Sequence, residues 1–338
     1  MKRPGRSPSF LVLFFLLVFL VAGCSKRTEN TDSPELVLRY ADNQPDHFPT
    51  SKAARYFAAL VKEETDGRIE IDVFTNGELG QEMETLEQIR FGGVDFSRFS
   101  LGTLSGFLPT FELLHLPYLY RDSDHMWAVL DGEIGEEFLA HVQDHGVVGL
   151  CWFDAGARSF YTRTPIHRLE DIEDMTIRVQ ENEIMSMLIE LLGARTEKIP
   201  YSDVYSVLQR GVIDGAENNI PSYIYTGHHQ AAPYLFLDEH FRIPELVLMS
   251  HNAEEKIRAV DPSFLAVIHE CAKQAGEYER TLWRQEEERS LQEAITSGCT
   301  ITVPDAGELA RWVEKMDAVY ELLGPEELEI VNRIRAVK

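Results

Sequence analysis

Residues 154–180 read DAGARSFYTRTPIHRLEDIEDMTIRVQ, and both the fold prediction and the site prediction start from this stretch. In TIRVQ, a period of two places Ile177 and Val179 on one face of a strand and Arg178 on the other. Arg158 lies in an aromatic run with Phe160 and Tyr161. An arginine in such surroundings needs an anionic partner, and its planar fork matches a carboxylate with two parallel hydrogen bonds.

The residues alone leave two explanations open for these arginines. The formal net charge of the chain is −24, so acidic side chains for an internal ion pair are abundant. The other partner is the carboxylate of a bound ligand. Arg163 and Arg168 of the same stretch are predicted to be ordinary surface residues. Burial and composition do not separate the two explanations for Arg158 and Arg178.

Strand and helix patterns alternate on both sides of the opening stretch. The 314 residues that follow Cys24 suggest about two domains. The alternation predicts βαβ units and parallel sheets, hence an α/β fold. Strands are predicted at 35–42, 67–74, 93–100, 146–155, 175–180 and 194–200, and helices at 50–64, 80–92, 126–144, 184–192 and 202–209, the last with a cap at Ser202.

A single long helix is predicted from Asp261 to about Ser297. The segment has no proline after Pro262 and only Gly276 inside it. At ~1.5 Å per residue it would reach ~50 Å, enough to span two domains. A coiled-coil face is the alternative, but no heptad pattern of apolar residues is sustained.

The N-terminus has the pattern of an export signal. Lys2, Arg3 and Arg6 precede an apolar run over 10–22, which is shorter than the ~20 residues that a membrane-spanning helix needs. The sequence VAGC resembles a lipobox, in which Cys24 becomes the lipidated first residue; an ordinary signal with a chance cysteine is the alternative. Residues 1–24 are therefore predicted to be a lipoprotein signal peptide and 25–35 a tether, which places the protein in the periplasm or cell envelope, anchored to a membrane through Cys24.

The charge balance bears on the possible partners. Without the three basic residues of the signal, 29 of the 32 basic side chains remain against 56 acidic ones. Such a surface repels nucleic acid and anionic lipid, so neither is a predicted partner. An acidic protein that binds an anion must do so in a pocket with locally concentrated positive charge.

Motifs for catalysis or metal binding are absent from the sequence. It contains no G-x-S-x-G, H-E-x-x-H, P-loop or strand-linked G-x-G-x-x-G. His228, His229 and His240 lack further ligands at a defined spacing, so no metal and no cofactor are predicted. A Cys271–Cys299 disulfide is open as an alternative to a buried thiol at Cys271.

The order of motifs resembles the DctP family, the periplasmic solute receptors of tripartite ATP-independent periplasmic (TRAP) transporters. The likeness covers essentially the whole chain after Cys24 and includes TDGRIEIDVFTNGELGQEMETLEQIRFGGVDF, residues 65–96. The residues that match two further family patterns are Gly156, Arg158, Tyr161, Pro165, Ile166, Asp171, Ile177, Arg178 and Val179, then Asp203, Val204, Tyr205, Leu208, Gln209, Ile213, Asp214, Gly215, Glu217 and Asn218.

The resemblance implies a set of ligand-binding residues. Arg178 would grip the ligand carboxylate, Arg158 would be the second arginine of the clamp, and Asn218 would help to hold the carboxylate or a neighbouring oxygen. The resemblance also places Asn43 and the Ser97–Ser100 segment, including Ser100, at the cleft from the other domain. Tyr201 would pack on the ligand. Arg98 and His240 occupy positions that vary with the substrate.

The segment after Asn218 resembles the branch of the family that binds hexuronates such as glucuronate and galacturonate. Asn219, Ser222, Tyr223 and His240 carry this likeness, and such polar and aromatic groups suit a sugar acid. Sialic acid, C4-dicarboxylates and 2-oxo acids are the competing ligands. The chain departs from the family at 173–175, where Glu-Asp-Met replaces a glycine-containing sequence, which alters a turn and not the clamp.

Together, these features predict a two-domain periplasmic-binding-protein fold (type II-like), with the ligand in a cleft between domains and a long helix spanning both. Domain I is expected to comprise 36–155 and 244–283, and domain II 156–243 and 284–338. The predicted function is capture without chemistry, followed by delivery to the small and large membrane subunits of a TRAP permease. A secreted sugar-acid hydrolase or lyase on a similar fold, and a receptor for a sensor kinase or an ABC permease, are the alternatives.

Overall fold

The strands of residues 33–338, the part of the chain that the computed structural model describes, form two mixed sheets. The predicted signal peptide 1–24 with its Cys24, and residues 25–32 of the predicted tether, lie outside the described residues. The strands in chain order are β1 Leu36–Ala41, β2 Ile69–Phe74, β3 Phe96–Ser100, β4 Val147–Phe153, β5 Ala157–Thr162, β6 Thr176–Val179, β7 Arg195–Lys198, β8 Gly215–Asn219, β9 Tyr234–Arg242, β10 Glu245–Ser250 and β11 Thr300–Thr302.

The first sheet has the order β2-β1-β3-β10-β4 and the second β11-β9-β5-β8-β6-β7. The predicted parallel pairing holds for β1 with β2 and β3, and for β6 with β7 and β8. It fails for β10 and β5, which are antiparallel to both of their neighbours. Strands β5 and β10 are the first strands after the chain crosses between sheets, at 154–156 and 243–244, so no crossover helix sets their direction.

Helices cover the faces of both sheets. The long helix α11, Phe264–Thr296, begins three residues later and ends one residue earlier than predicted, and its 33 residues correspond to ~50 Å. The helices are α1 Pro49–Glu64, α2 Glu82–Arg90, α3 Leu101–Leu104, α4 Ser123–Leu130, α5 Glu133–His141, α6 Glu183–Leu191, α7 Val204–Arg210, α8 Ile220–Tyr225, α9 His228–Ala231, α10 His251–Val260, α11 Phe264–Thr296, α12 Ala306–Met316 and α13 Pro325–Ala336.

Two local predictions are wrong. The helix expected over 126–144 is divided into α4 and α5, because Gly132 takes an extended conformation and starts a new helix. Ser202 does not cap α7, because a 3₁₀ turn over Tyr201–Asp203 precedes this helix and places Ser202 inside a turn. Within residues 33–338, the helices lack the combination of length and apolar composition that crossing a bilayer requires.

Packing on the long helix connects the two sheets. Its first half packs on α1, α10 and β4 of the first sheet, and its second half reaches α8, which follows β8 of the second sheet. Between β4 and β5 the backbone turns at Gly156, where φ is +61° and an added Cβ would lie 2.8 Å from Trp283 Nε1 of α11. The long helix therefore lies directly against the segment in which the chain crosses between sheets.

The C-terminal helices contact both halves of the molecule. In α12, the Trp312 ring lies 5.6 Å from Phe160 and 4.8 Å from Phe236, which belong to the second sheet. In α13, Arg333 pairs with Glu137 of α5 at 2.7 Å. The chain thus returns at its end to the side of the first sheet.

Candidate functional site

A polar cavity lies between the two sheets. It contains about 520 Å³ of empty space, part of which is open to solvent. Its lining comprises Asn43, Gln44, Gln81, Glu82, Arg98, Ser100, Thr103, Arg158, Arg178, Gln180, Glu181, Pro200, Tyr201, Asn218, Asn219, Ser222 and Glu245.

Arg178 is the cation in this cavity that has no acidic partner in the described part of the chain. It lies on β6 and is 3% exposed. Its Nε donates to the carbonyl oxygen of Ile199 at 2.8 Å, and both Nη atoms make no hydrogen bond within residues 33–338. Burial lowers the pKa of the Arg178 guanidinium, the direction expected for a desolvated cation without a neutralising carboxylate. Four N–H groups are therefore free to meet an anion in the cavity.

Arg158 has an internal partner. On β5, its Nε and Nη2 donate to the two carboxylate oxygens of Glu217 at 2.5 and 2.8 Å. Nη2 also donates to the carbonyl oxygen of Glu217, and Nη1 to Oδ1 of Asn218. Four of its five N–H groups are thus occupied, and one on Nη1 is left for a ligand. The ion pair also explains why the pKa of Glu217 is lowered to about 2 despite its burial.

Arg98 has no donor left for a ligand. Its five N–H groups are directed at Asp42, Asn43, Glu82 and Glu245, with Nη2 to Asp42 at 2.8 Å and Nη1 to Glu82 at 2.6 Å. The side chain is 1% exposed. Three carboxylates thus surround one guanidinium, so this wall of the cavity is anionic although it contains an arginine.

Amide and hydroxyl groups complete the lining. Asn218 and Asn219 end β8, and their Oδ1 atoms accept from backbone N–H groups at 2.8 Å, Asn219 as the cap of α8. Their Nδ2 atoms have no partner within residues 33–338. Ser100 and Gln180 hydrogen-bond to each other across the cavity, with Nε2 donating to Oγ at 3.2 Å. These are groups that can bind the hydroxyls of a ligand.

Eight of the nine predicted ligand-binding residues line this cavity: Asn43, Arg98, Ser100, Arg158, Arg178, Tyr201, Asn218 and Asn219. His240 does not. It is fully buried behind Arg158, with Nδ1 2.9 Å from Asp238 and Nε2 3.8 Å from Glu217. These carboxylates raise the pKa of His240 to about 9 against the effect of its burial.

Sequence reasoning missed several lining residues. Gln180 comes directly after β6, and Gln44 lies three residues after the end of β1. Ligands in open α/β sheets bind beyond the carboxyl ends of parallel strands, so this rule could have identified both residues. Glu245 begins β10 and reaches the cavity because this strand inserts between β3 and β4. No local signal marks that insertion.

The described residues contain no cluster of three or more His, Cys, Asp or Glu side chains suited to a metal. His228, one of the paired histidines, instead makes a hydrogen bond with Tyr161 Oη at 2.7 Å through Nδ1. Cys151, Cys271 and Cys299 are free thiols, and Cys271 is 1% exposed. The cavity therefore consists of arginines, carboxyl groups, amides and hydroxyls.

Two mixed sheets joined by crossing strands, a long helix against both, and a buried arginine facing the cavity between them define a two-lobed α/β solute-binding protein. Residues 40–325 match the model of bacterial extracellular solute-binding protein family 7, DctP, and the chain belongs to this family.

Related proteins cover most of the chain. A solute-binding protein of Chromohalobacter salexigens is 33% identical over 295 residues, 87% of this chain and 86% of the relative. A TRAP periplasmic solute-binding protein of Xanthobacter autotrophicus Py2, crystallised with β-D-galacturonate, is 38% identical with a TM-score of 0.85 and covers 89% of this chain and 100% of its own. Another from Chromohalobacter salexigens, crystallised with D-glucuronate, is 32% identical with the same TM-score and coverage.

Proposed function

We propose that this protein is the extracytoplasmic receptor of a TRAP transporter and that it captures a hexuronate, D-galacturonate or D-glucuronate. The observation that carries the proposal is Arg178, a buried guanidinium that faces the cavity without an acidic partner in the described chain. A ligand carboxylate would supply the missing charge and accept two parallel hydrogen bonds. The relatives crystallised with galacturonate and glucuronate support the choice of acid.

The rest of the lining suits a polyhydroxylated ligand. Asn218 and Asn219 offer amide donors, Gln180 and Ser100 offer groups that both donate and accept, and Tyr201 offers a ring and an Oη atom with no partner in residues 33–338. A sugar ring presents several hydroxyls around an apolar face, which matches such a set. Arg158 would contribute its one remaining N–H group to the carboxylate.

The proposed mechanism is binding without chemistry. The ligand enters between the two sheets, its carboxylate meets Arg178, and closure of the cavity removes water from the new ion pair. Closure is driven by the ligand only if the closed form binds it more tightly than the open form. The loaded receptor then docks on the small and large membrane subunits of the transporter. We propose that the protein is no enzyme, reaches the cell envelope through the signal at 1–24, and is lipid-anchored at Cys24.

We further propose that the moving bodies are domain I, 36–155 and 244–283, and domain II, 156–243 and 284–338. The division of the strands between the two sheets supports domain boundaries near 155 and 244, where the chain passes from one sheet to the other. Two contacts attach α13 to domain I. Arg333 forms an ion pair with Glu137, and the carbonyl oxygen of Ile334 lies 3.0 Å from His125 Nε2. For this reason we amend the proposed division: domain II ends before 325, and α13, Pro325–Ala336, belongs to domain I.

A ligand panel tests the proposal. The chain from residue 25 onward, whose described part forms one compact unit, is heated with and without hexuronates, sialic acid, succinate and 2-oxo acids at equal concentration. A hexuronate should raise the Tm most, because ligand binding to the folded state stabilises it in proportion to its affinity. A larger shift with another acid, or conversion of the hexuronate to a product, would contradict the proposal.

A further inference from the structure

The wall of the cavity around Arg98 has an excess of acidic groups. Asp42 follows β1, Glu82 begins α2 and Glu245 begins β10, and all three contact the one guanidinium at 2.6–3.0 Å. Because Arg98 donates all of its N–H groups to protein acceptors, it has none for a ligand. Two carboxyl groups of this cluster, those of Glu82 and Glu245, line the cavity.

Glu245 has an acceptor that nothing in the described chain satisfies. The residue is 7% exposed, its Oε1 accepts from Arg98 at 3.0 Å, and its Oε2 is buried without a hydrogen-bond partner in residues 33–338. Oε1 of Gln44, another lining residue, is also without a partner. Buried polar atoms are normally hydrogen-bonded, so these acceptors call for donors from a ligand. A sugar hydroxyl is such a donor and a carboxylate is not.

The two walls of the cavity therefore suit different chemical groups at the two ends of a ligand. The wall with Arg178 requires a negative charge. At the wall with Glu82 and Glu245, a second carboxylate would meet the charge of Glu82 and, above about pH 8, that of Glu245 as well. It would then also leave Glu245 Oε2 without a donor. Like charges close together in a buried site repel strongly, because the effective dielectric constant is far below that of water.

We propose that Glu82 and Glu245 are specificity-determining residues that accept an uncharged, hydroxyl-bearing end of the ligand and exclude a second carboxylate. The inference rests on the proposed function and deepens it. The receptor would bind sugar monoacids, and would reject both the sugar diacids of the same length and short dicarboxylates.

Glutamine variants separate charge from hydrogen bonding. In Glu82→Gln and Glu245→Gln, the side-chain Oε1 still accepts from Arg98, Nε2 replaces the second carboxylate oxygen, and the negative charge is lost. Galacturonate should still bind, though more weakly, because a sugar hydroxyl can accept from Nε2 as well as donate to an oxygen. Exclusion of a second carboxylate should weaken, because it depends on the charge.

The test compares two open-chain acids that differ at one terminal carbon. Galactonate ends in a hydroxymethyl group and galactarate in a second carboxylate, so the ratio of their Kd values measures discrimination at that end. Calorimetry is performed at pH 8.5, because burial and the neighbouring acids Glu82 and Asp42 raise the pKa of Glu245 to about 8 even with Arg98 beside it. We expect the wild-type protein to favour galactonate, and each variant to reduce the ratio by at least about tenfold.

Glu87→Gln is the matched control. Glu87 lies on α2 with Glu82 but is exposed and outside the lining of the cavity, so its loss of charge should leave the ratio unchanged. The inference is overturned if the wild-type protein binds galactarate as tightly as galactonate, if neither variant changes the ratio, or if Glu87→Gln changes it equally. Failure of the proposed function is a different result, in which the wild-type protein does not bind galacturonate or glucuronate.

Discussion

Arg178 and Arg158 line the same cavity, but their partners differ. Glu217 neutralises Arg158 within the protein, with Nε to Oε2 at 2.5 Å, whereas Arg178 donates one bond to the uncharged carbonyl group of Ile199. The internal ion pair is thus present at Arg158, whereas at Arg178 the ligand carboxylate stays a prediction, supported by the absence of an acidic partner within residues 33–338. A buried charge without a counter-ion is costly, so the free protein maintains Arg178 at the expense of stability.

Replacing Arg178 should therefore affect binding and stability in opposite directions. In Arg178→Ala we expect the Kd for galacturonate to rise by at least about a hundredfold, since the main partner of the carboxylate is lost. The unliganded variant should be no less stable than the wild-type protein, because the change removes a desolvated cation. Calorimetric titration and thermal unfolding of the same samples give both quantities.

Two further variants sharpen this comparison. Arg178→Lys should also bind poorly, because an ammonium group cannot form the two parallel bonds of a guanidinium. Arg163→Ala removes an equal charge from an exposed site in the same stretch and should leave the Kd unchanged. A variant at position 178 that keeps its affinity but loses stability would show that Arg178 has a structural role.

The start of helix α6 links the two sides of the cavity. Asn182 caps this helix through Oδ1, which accepts from the backbone N–H of Met185 at 2.8 Å. Its Nδ2 donates to the carbonyl oxygen of Gly102 at 3.0 Å and to Oγ of Ser105 at 2.7 Å, in the segment that follows β3 of the first sheet. One buried side chain thus has two roles: it starts a helix beside the second sheet and bridges to the first.

Asn182→Ser separates these roles. Serine caps a helix about as well as asparagine but is too short to reach Gly102, so α6 is kept and the bridge is lost. Two hydrogen bonds of about 1 kcal/mol each favour the arrangement in which the walls are in contact, so bound galacturonate should dissociate up to about thirtyfold faster in the variant. Stopped-flow measurement of the dissociation rate checks this, and Ser105→Ala, which removes one of the two bonds, should give an intermediate rate. An unchanged rate in Asn182→Ser would contradict the bridging role.

The sequence predicted helices and strands well where the pattern is local. The alternation in TIRVQ gave β6 with Arg178 on a face away from Ile177, and uninterrupted helical composition gave α11 within three residues at each end. The direction of each strand, and the strands with which it pairs, were harder to predict. Arg98 and Glu245 are 147 residues apart, and they meet because β10 inserts antiparallel beside β3. Long-range pairing of this kind leaves no periodic signal in the sequence. The sequence therefore did not predict the wall with Glu82 and Glu245, although it predicted Arg178 on the other wall.

At the scale of the whole molecule, several buried groups hold protons that the unfolded chain would release. Burial raises the pKa of Glu245 to about 8 and of Glu287 to about 7, and it raises the pKa of Glu279 well above its ordinary value. Asp238 and Glu217 outweigh burial and raise the pKa of His240 to about 9. Buried histidines shifted the other way, such as His115 with a pKa of about 4, release protons on folding only below pH 6.5.

Between pH 6.5 and 9 these shifts all act in one direction. In the folded state Glu287 keeps its proton to about pH 7 and Glu245 to about pH 8, whereas the unfolded chain loses both near pH 4.5, and the raised pKa of Glu279 acts in the same direction. His240 keeps to about pH 9 a proton that the unfolded chain loses near pH 6.5. Because the folded state binds more protons, the free energy of unfolding falls as pH rises, by about 1.4 kcal/mol per pH unit for each proton that differs.

We expect the Tm of the unliganded protein to be highest near pH 6.5 and to fall steadily towards pH 9. Glu245→Gln removes one titrating group and should make the decline shallower, whereas Glu181→Gln, at an exposed position, should not. A Tm that stays constant over this range would show that these groups are ionised, or solvated, in the folded protein.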